Sequence, residues 1–137
     1  MIWCVDTSAF YAYLIEGDRF HGLVSACIRE AATRDEKLVS TSFVLSETQD
    51  LLQVRHGLKA AKVFMDRVYP AVEWRWVDED MFGRMLKIHA GQKERGFTIV
   101  DASVVACIEE RPGSACLAVD EGLSGFGFEV LPWVPEQ

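Results

Sequence analysis

The order of apolar runs constrains this chain more than any other feature of its sequence. Five short β-prone runs occur: IWCV (Ile2 to Val5), LVST (Leu38 to Thr41), WRWV (Trp74 to Val77), ACLAV (Ala115 to Val119) and FEVL (Phe128 to Leu131). Between them lie longer segments with helical period, near Ser8 to Ile15, Phe20 to Thr33, Phe43 to His56, Leu58 to Val68, Glu79 to Gln92 and Asp101 to Glu110. Strands joined through helices run parallel, so the pattern predicts an α/β fold with a mainly parallel central sheet. Gly57 and Gly113 stand where helix stops are expected. The 137 residues are 50% hydrophobic, enough for one sizeable core, so residues 1–137 read as a single domain without linker or repeat.

A parallel sheet puts every strand-to-helix turn on one edge, where such folds place their ligands. Acidic residues recur there. IWCV runs directly into Asp6, followed by Thr7 and Ser8, and ACLAV runs into Asp120. An Asp at such a turn commonly just caps the helix that follows, so Asp6 alone proves little. Glu47 is more telling, because a helical wheel over Phe43 to Val54 puts it in the sector of Phe43, Val44, Leu51 and Val54, where a glutamate needs a partner. Asp101 opens the apolar stretch DASVVACIEE and stands three residues after Thr98, the spacing of a capping box. An acid fixed at a helix N-terminus is also a rigid ligand. Four carboxylates gathered on one edge repel unless a cation joins them, and an all-oxygen set suits Mg2+ or Mn2+. Such a centre suits water activation for in-line attack on phosphate.

Other chemistry is disfavoured. A net charge of −7, from 21 acidic and 14 basic residues, argues against a broad basic coat for nucleic acid but allows a local basic rim. Cys4, Cys27, Cys107 and Cys116 are dispersed in apolar runs without CxxC or histidine spacing, so they read as free thiols of a reducing cytoplasm rather than zinc ligands. His21, His56 and His89 are isolated. No apolar run approaches the ~20 residues that span a bilayer, and the start does not resemble a signal peptide, so the expectation is a soluble cytoplasmic protein. A phosphoaspartyl phosphatase needs D-x-D where Ser8 holds the third position, the acidic pair of a receiver domain has no convincing match, and GFGFEV precedes a strand rather than opening a helix.

VDTSAF, STSFVLSET with Glu47, TIVDASVVA with Asp101 and LAVDEGLSGFGFEVLP with Asp120, in that order along nearly the whole chain, resemble the PIN-domain ribonucleases, and among them the VapC-type toxins of toxin-antitoxin pairs. The resemblance implies a three-layer α/β/α fold, often dimeric, cleaving RNA with Mg2+ or Mn2+, and a small antitoxin protein as partner. It implies that Asp6, Glu47 and Asp101 are the core acidic triad, that Asp120 is the fourth, more variable acid, and that Ser8 and Thr98 are the polar positions beside them. Two departures bear on the fourth acid: Leu123 stands where an aromatic is usual, and Glu121 supplies a neighbouring carboxylate. Arg55, Lys59 and Lys62, and separately Lys87, Lys93 and Arg95, form candidate RNA-facing rims. Trp3, Trp74, Trp76 and Trp133 read as core or interface residues. A housekeeping nuclease, and a non-catalytic RNA-binding protein of the same fold, remain alternatives to the toxin.

Overall fold

The computed structural model describes residues 1–132, so Trp133 lies outside the described residues. The elements in order are β1 (Ile2–Val5), α1 (Thr7–Leu14), α2 (His21–Thr33), β2 (Lys37–Thr41), α3 (Ser42–His56), α4 (Leu58–Arg67), β3 (Glu73–Arg75), α5 (Glu79–Ala90), α6 (Ile99–Glu109), β4 (Ala115–Ala118) and β5 (Val130–Pro132). The strands form one sheet in the order β3-β2-β1-β4-β5, every pair parallel. Right-handed crossovers put α1 to α4 on one face and, with the return from β3 to β4, α5 and α6 on the other. The close α1–α2, α3–α4 and α5–α6 pairings agree with this three-layer α/β/α arrangement.

The central strands are buried on both faces, which is why IWCV and ACLAV are uninterrupted apolar runs. Helix α6 explains itself in the same way, since Ala102 to Ile108 are all buried between the sheet and α5. On the opposite face Phe10, Phe64 and Trp74 meet with ring centroids 5.5 to 6.4 Å apart, and the Trp74 indole donates to the Tyr69 carbonyl at 3.0 Å. Phe64 is fully buried, so Phe64→Ala there removes roughly 3–5 kcal/mol.

Three local expectations need correction. WRWV does not continue as a strand to Val77: pairing ends at Arg75, and Trp76 is 58% exposed. β3 is an edge strand with a single neighbour, and the chain leaves it where Arg75 forms a bidentate pair with Glu110 and the Val77 amide donates to Ser42 Oγ at 2.9 Å. Gly113 does not stop a helix, because α6 ends at Glu109 and Gly113 occupies a later turn. Gly57 does end α3, with its amide donating to Gln53 O at 2.9 Å and φ at 94°, a conformation that favours glycine. The ladder of β5 starts at Val130, two residues into FEVL.

Candidate active site

β1 and β4 are parallel neighbours in the register Val5↔Leu117, so their carboxyl ends bring Asp6 and Asp120 to one edge. The Asp6 amide donates to Leu117 O at 3.0 Å, extending the pairing to the acid itself. The Asp6 side chain caps α1, and its Oδ2 accepts from Ser8 Oγ at 2.9 Å. Ser8 Oγ in turn accepts from the Val119 amide at 3.1 Å, which ties α1 to the end of β4. Only 4% of Asp6 is exposed. Burial, reinforced by the charge of Asp101, pushes its carboxyl up to about 7, against the opposing bonds from Ser8 and Thr7.

Asp101 sits at the third position of α6 and completes the predicted capping box. Thr98 N donates to Asp101 Oδ2 at 2.9 Å while Asp101 N donates to Thr98 Oγ1 at 3.2 Å. Burial raises its carboxyl above the ordinary value, the bonds from Thr98 oppose this, and the charges of Asp120 and Glu47 raise it further. Asp101 is thus near enough to Asp6, Asp120 and Glu47 for their charges to act on one another. Glu47 lies one turn into α3, half-buried, in a groove of about 820 Å³ that it shares with Phe43, Leu51, Val54, Trp76 and Val100. Of the expected stripe, Phe43, Glu47, Leu51 and Val54 line an open groove, whereas Val44 is buried in the core. The core face of α3 is the adjacent one, with Val44, Leu45, Thr48 and Leu52.

Asp120 is exposed and caps the short 3-10 turn Glu121–Leu123 by accepting from Gly122 N at 2.9 Å. Leu123 is fully buried, so the position where an aromatic is usual is filled by an aliphatic core residue. Ser8 and Thr98 direct their hydroxyls at Asp6 and Asp101 and position those acids. Arg55 and Lys59 are exposed, and Arg55 follows Glu47 by eight residues of helix, about 12 Å along α3. Lys62, Lys87, Lys93 and Arg95 are exposed as well.

Sequence reasoning missed the buried hydroxyls beneath this edge. Ser40 Oγ donates to Val5 O at 2.6 Å, and Thr41 Oγ1 lies 2.8 Å from Ser103 Oγ while capping α3 through the Val44 amide. Together they fasten β2 to the end of β1 and α3 to α6, and so fix the frame on which Asp6, Glu47 and Asp101 stand. The hydroxyl run at the β2–α3 junction, STS, and a serine two residues after Asp101 were the available signals. Cys4, Cys107 and Cys116 are buried free thiols, as expected, and Cys27 is partly exposed. His21 Nδ1 lies 2.8 Å from Ala12 O and His56 Nε2 2.7 Å from the Tyr11 hydroxyl, both away from the acids' own bonds. No described helix is long and apolar enough to cross a membrane.

No family model matches the sequence, and no curated protein matches it significantly. Solved structures do match. The toxin VapC20 of Mycobacterium tuberculosis, which cleaves the sarcin-ricin loop, superimposes with a TM-score of 0.79 at 29% identity over 93% of this chain and 96% of its own. VapBC2 from Rickettsia felis, solved with a DNA fragment from its promoter, matches with a TM-score of 0.65 at 11% identity over 95% of this chain and 97% of its own. FitAcB from Neisseria gonorrhoeae matches with a TM-score of 0.61 at 14% identity over 95% and 96%. The last two likenesses speak for the fold alone. The first, spanning nearly both chains, joins the ordered acids and the parallel β3-β2-β1-β4-β5 sheet in a likeness to the PIN-domain proteins of the VapC type.

Proposed function

We propose that this chain is a metal-dependent endoribonuclease, the toxin of a toxin-antitoxin pair, hydrolysing RNA phosphodiester bonds at the edge formed by Asp6, Glu47, Asp101 and Asp120. The observation that carries the reading is the mutual charge of these acids. Asp101 raises Asp6, while Asp120 and Glu47 raise Asp101. Acids so placed are stabilised by a cation, and their oxygens fit Mg2+ or Mn2+. Among the described residues no three Asp, Glu, His or Cys side chains close tightly enough to enclose an ion by themselves. The fit therefore rests on donor chemistry and shared charge, and it leaves room for water and substrate oxygens, which Mg2+ usually retains. When bound, the ion would lower the pKa of attacking water and neutralise charge on the phosphate.

The chain's own residues do the positioning. Ser8 orients Asp6 and joins it to β4, Thr98 holds Asp101 in its box, and the Thr41–Ser103 contact sets α3, and with it Glu47, against α6. Glu47, which lines the groove, would hold or receive a proton of water approaching the phosphate. Exposed apolar side chains of the same groove, Val54 and Trp76, support a covering chain, either a small antitoxin presenting a cation to the acids or a second copy in a homodimer.

The test is to sequence RNA 5′ ends after brief expression of the parent and of Glu47→Gln, beside cleavage by purified protein in Mg2+, Mn2+ or EDTA. Metal-dependent ends with the parent and none with Glu47→Gln support the proposal; full cleavage in EDTA defeats the metal, and the same ends with Glu47→Gln defeat the site. Native purification and solution mass measure the partner and the homodimer.

A further inference from the structure

A second cavity, of about 580 Å³, lies between the loop after α5 and the turn that Asp120 caps. Its lining includes Gln92, Glu94, Phe97, Asp120, Glu121 and Phe126. Its volume falls within the usual range for small-molecule sites. Phe97 and Phe126 form one wall, their centroids 5.4 Å apart, and Phe128 stands 6.1 Å from Phe126. The loop residues alternate. Gln92, Glu94 and Gly96 line the cavity while Lys93 and Arg95 do not, and Glu94 is exposed at its rim like both cations.

No lysine or arginine is among the described residues lining the cavity, and the side chain of Glu94 has no ion-pair or hydrogen-bond partner among them. A phosphate does not belong in such a space. A flat group with an apolar face and neighbouring N–H donors does, while the exposed cations of the same loop suit the phosphates that accompany it. Single-stranded RNA is recognised in this way, with a splayed base against aromatic side chains and its Watson–Crick edge read by hydrogen bonds. Among the four bases only guanine carries two adjacent donors on that edge, N1–H and the N2 amine, which match the two oxygens of one carboxylate. Asp120 Oδ1 is already engaged with Gly122 N, and Glu121 neighbours the acid edge. Glu94 is the free reader.

We propose that this cavity seats one guanine of the RNA substrate near the scissile phosphate, packed on the Phe97–Phe126 wall with Glu94 accepting from N1–H and N2–H. The proposal rests on the ribonuclease reading above and adds the base that the enzyme selects. It makes Glu94 a specificity residue without a part in the hydrolytic step.

The experiment uses the full chain on a random-sequence RNA library with Mg2+, reading the bases around each new 5′ end, with parent, Glu94→Gln and Gly96→Val proteins. Gly96 lines the cavity, and a Cβ added there meets nothing within 4 Å, so Gly96→Val narrows the space without straining the fold. The expected result is guanine enrichment at one fixed position for the parent, reduced about tenfold by Glu94→Gln and by Gly96→Val while total cleavage continues. Inosine, which lacks the N2 amine, should slow the parent at that position and leave Glu94→Gln unaffected. A parent with no positional preference, a preference for another base, or a guanine preference untouched by Glu94→Gln overturns the proposal. Binding of guanine- and inosine-containing oligonucleotides to Glu47→Gln protein separates the two claims. Guanine-selective binding without any cleavage by the parent would sink the nuclease and keep the pocket, whereas cleavage with equal binding of both oligonucleotides would do the reverse.

Discussion

Asp6 and Asp120 terminate neighbouring strands on the same edge, yet they are built in opposite ways. Asp6 is sealed into the core, bonded to Ser8 and held up to about 7 by burial and by Asp101. Asp120 is exposed on a short turn, with one backbone amide on its carboxylate. Both follow central strands, so the difference comes from what succeeds them. After Asp6 the chain enters α1, which packs across the sheet and closes over the acid. After Asp120 only a single 3-10 turn follows, anchored by the buried Leu123. A buried carboxylate is a rigid, reluctantly charged ligand that a cation stabilises strongly, whereas an exposed one keeps its freedom and its solvation. The Asp6 side of the edge should therefore govern whether the centre works, and the Asp120 side how well.

The largest expected effect is on Asp6→Asn. Asn has nearly the shape of Asp and still caps α1, so the fold should persist and melting without divalent cation should hold or rise. Cleavage should fall by two to three orders of magnitude, roughly what loss of a group essential for catalysis costs. Paired melting and cleavage assays check it, and near-parental cleavage would reduce Asp6 to a cap.

Next in size is a pH effect that belongs to the buried side alone. In the unfolded chain Asp6 ionises near its ordinary 3.8, while in the folded protein it stays protonated up to about 7. Between those values the folded state holds the extra proton, so stability without divalent cation should fall as pH rises from about 4 to about 7 and then level off, by at most ~4 kcal/mol. Mg2+ binds the ionised form and should raise the melting temperature more at pH 8 than at pH 5. Urea unfolding at several pH values measures the slope, which should be weaker in Asp6→Asn. An equal slope in that variant would place the proton elsewhere.

Ser8→Ala should come third. It removes the donor to Asp6 and the acceptor for the Val119 amide, at a cost of about 1–2 kcal/mol in stability. Cleavage should drop about tenfold, the lower end of what supporting residues around a metal site contribute. Unchanged cleavage would show that burial alone positions Asp6.

The same contrast shows how far the sequence could be read. Patterning that repeats along the chain was legible: the parallel sheet, the buried α6, the capping box of Thr98 and Asp101, and the acids at strand ends. Two things were not. Which strands are neighbours depends on the crossovers, so the meeting of Asp6 with Asp120 appears only once β1 lies beside β4. Which side of an apolar stripe faces the core depends on what packs there, so the stripe containing Glu47 looked like core and is the wall of a groove. Trp76 misled in the same way, since an apolar side chain beyond an edge strand extends the strand pattern without extending its pairing. Ser8 and Thr98 stand near the acids in sequence, but the bonds they make to Asp6 and Asp101 could not be read without coordinates.

The smallest effect should fall on the exposed side, at Asp120 and Glu121. The charge of Asp120 reaches Asp101 and its carboxylate caps the turn, so Asp120→Asn removes a charge from the cluster while an amide oxygen can still accept from Gly122. Stability should change by less than about 0.5 kcal/mol, as is usual for an exposed site. Cleavage should fall about tenfold, well short of Asp6→Asn, because water or substrate oxygens can replace one exposed ligand of a hard cation. Glu121→Gln, one residue further and free of the cap, should lower cleavage less than Asp120→Asn does. Rates measured across an Mg2+ titration discriminate the cases, since loss of an outer ligand shifts the concentration needed for half-maximal cleavage more than the plateau. If Glu121→Gln has the larger effect, the fourth acid is Glu121. If Asp120→Asn equals Asp6→Asn, burial does not set the hierarchy of this edge, and the contrast between its two sides fails.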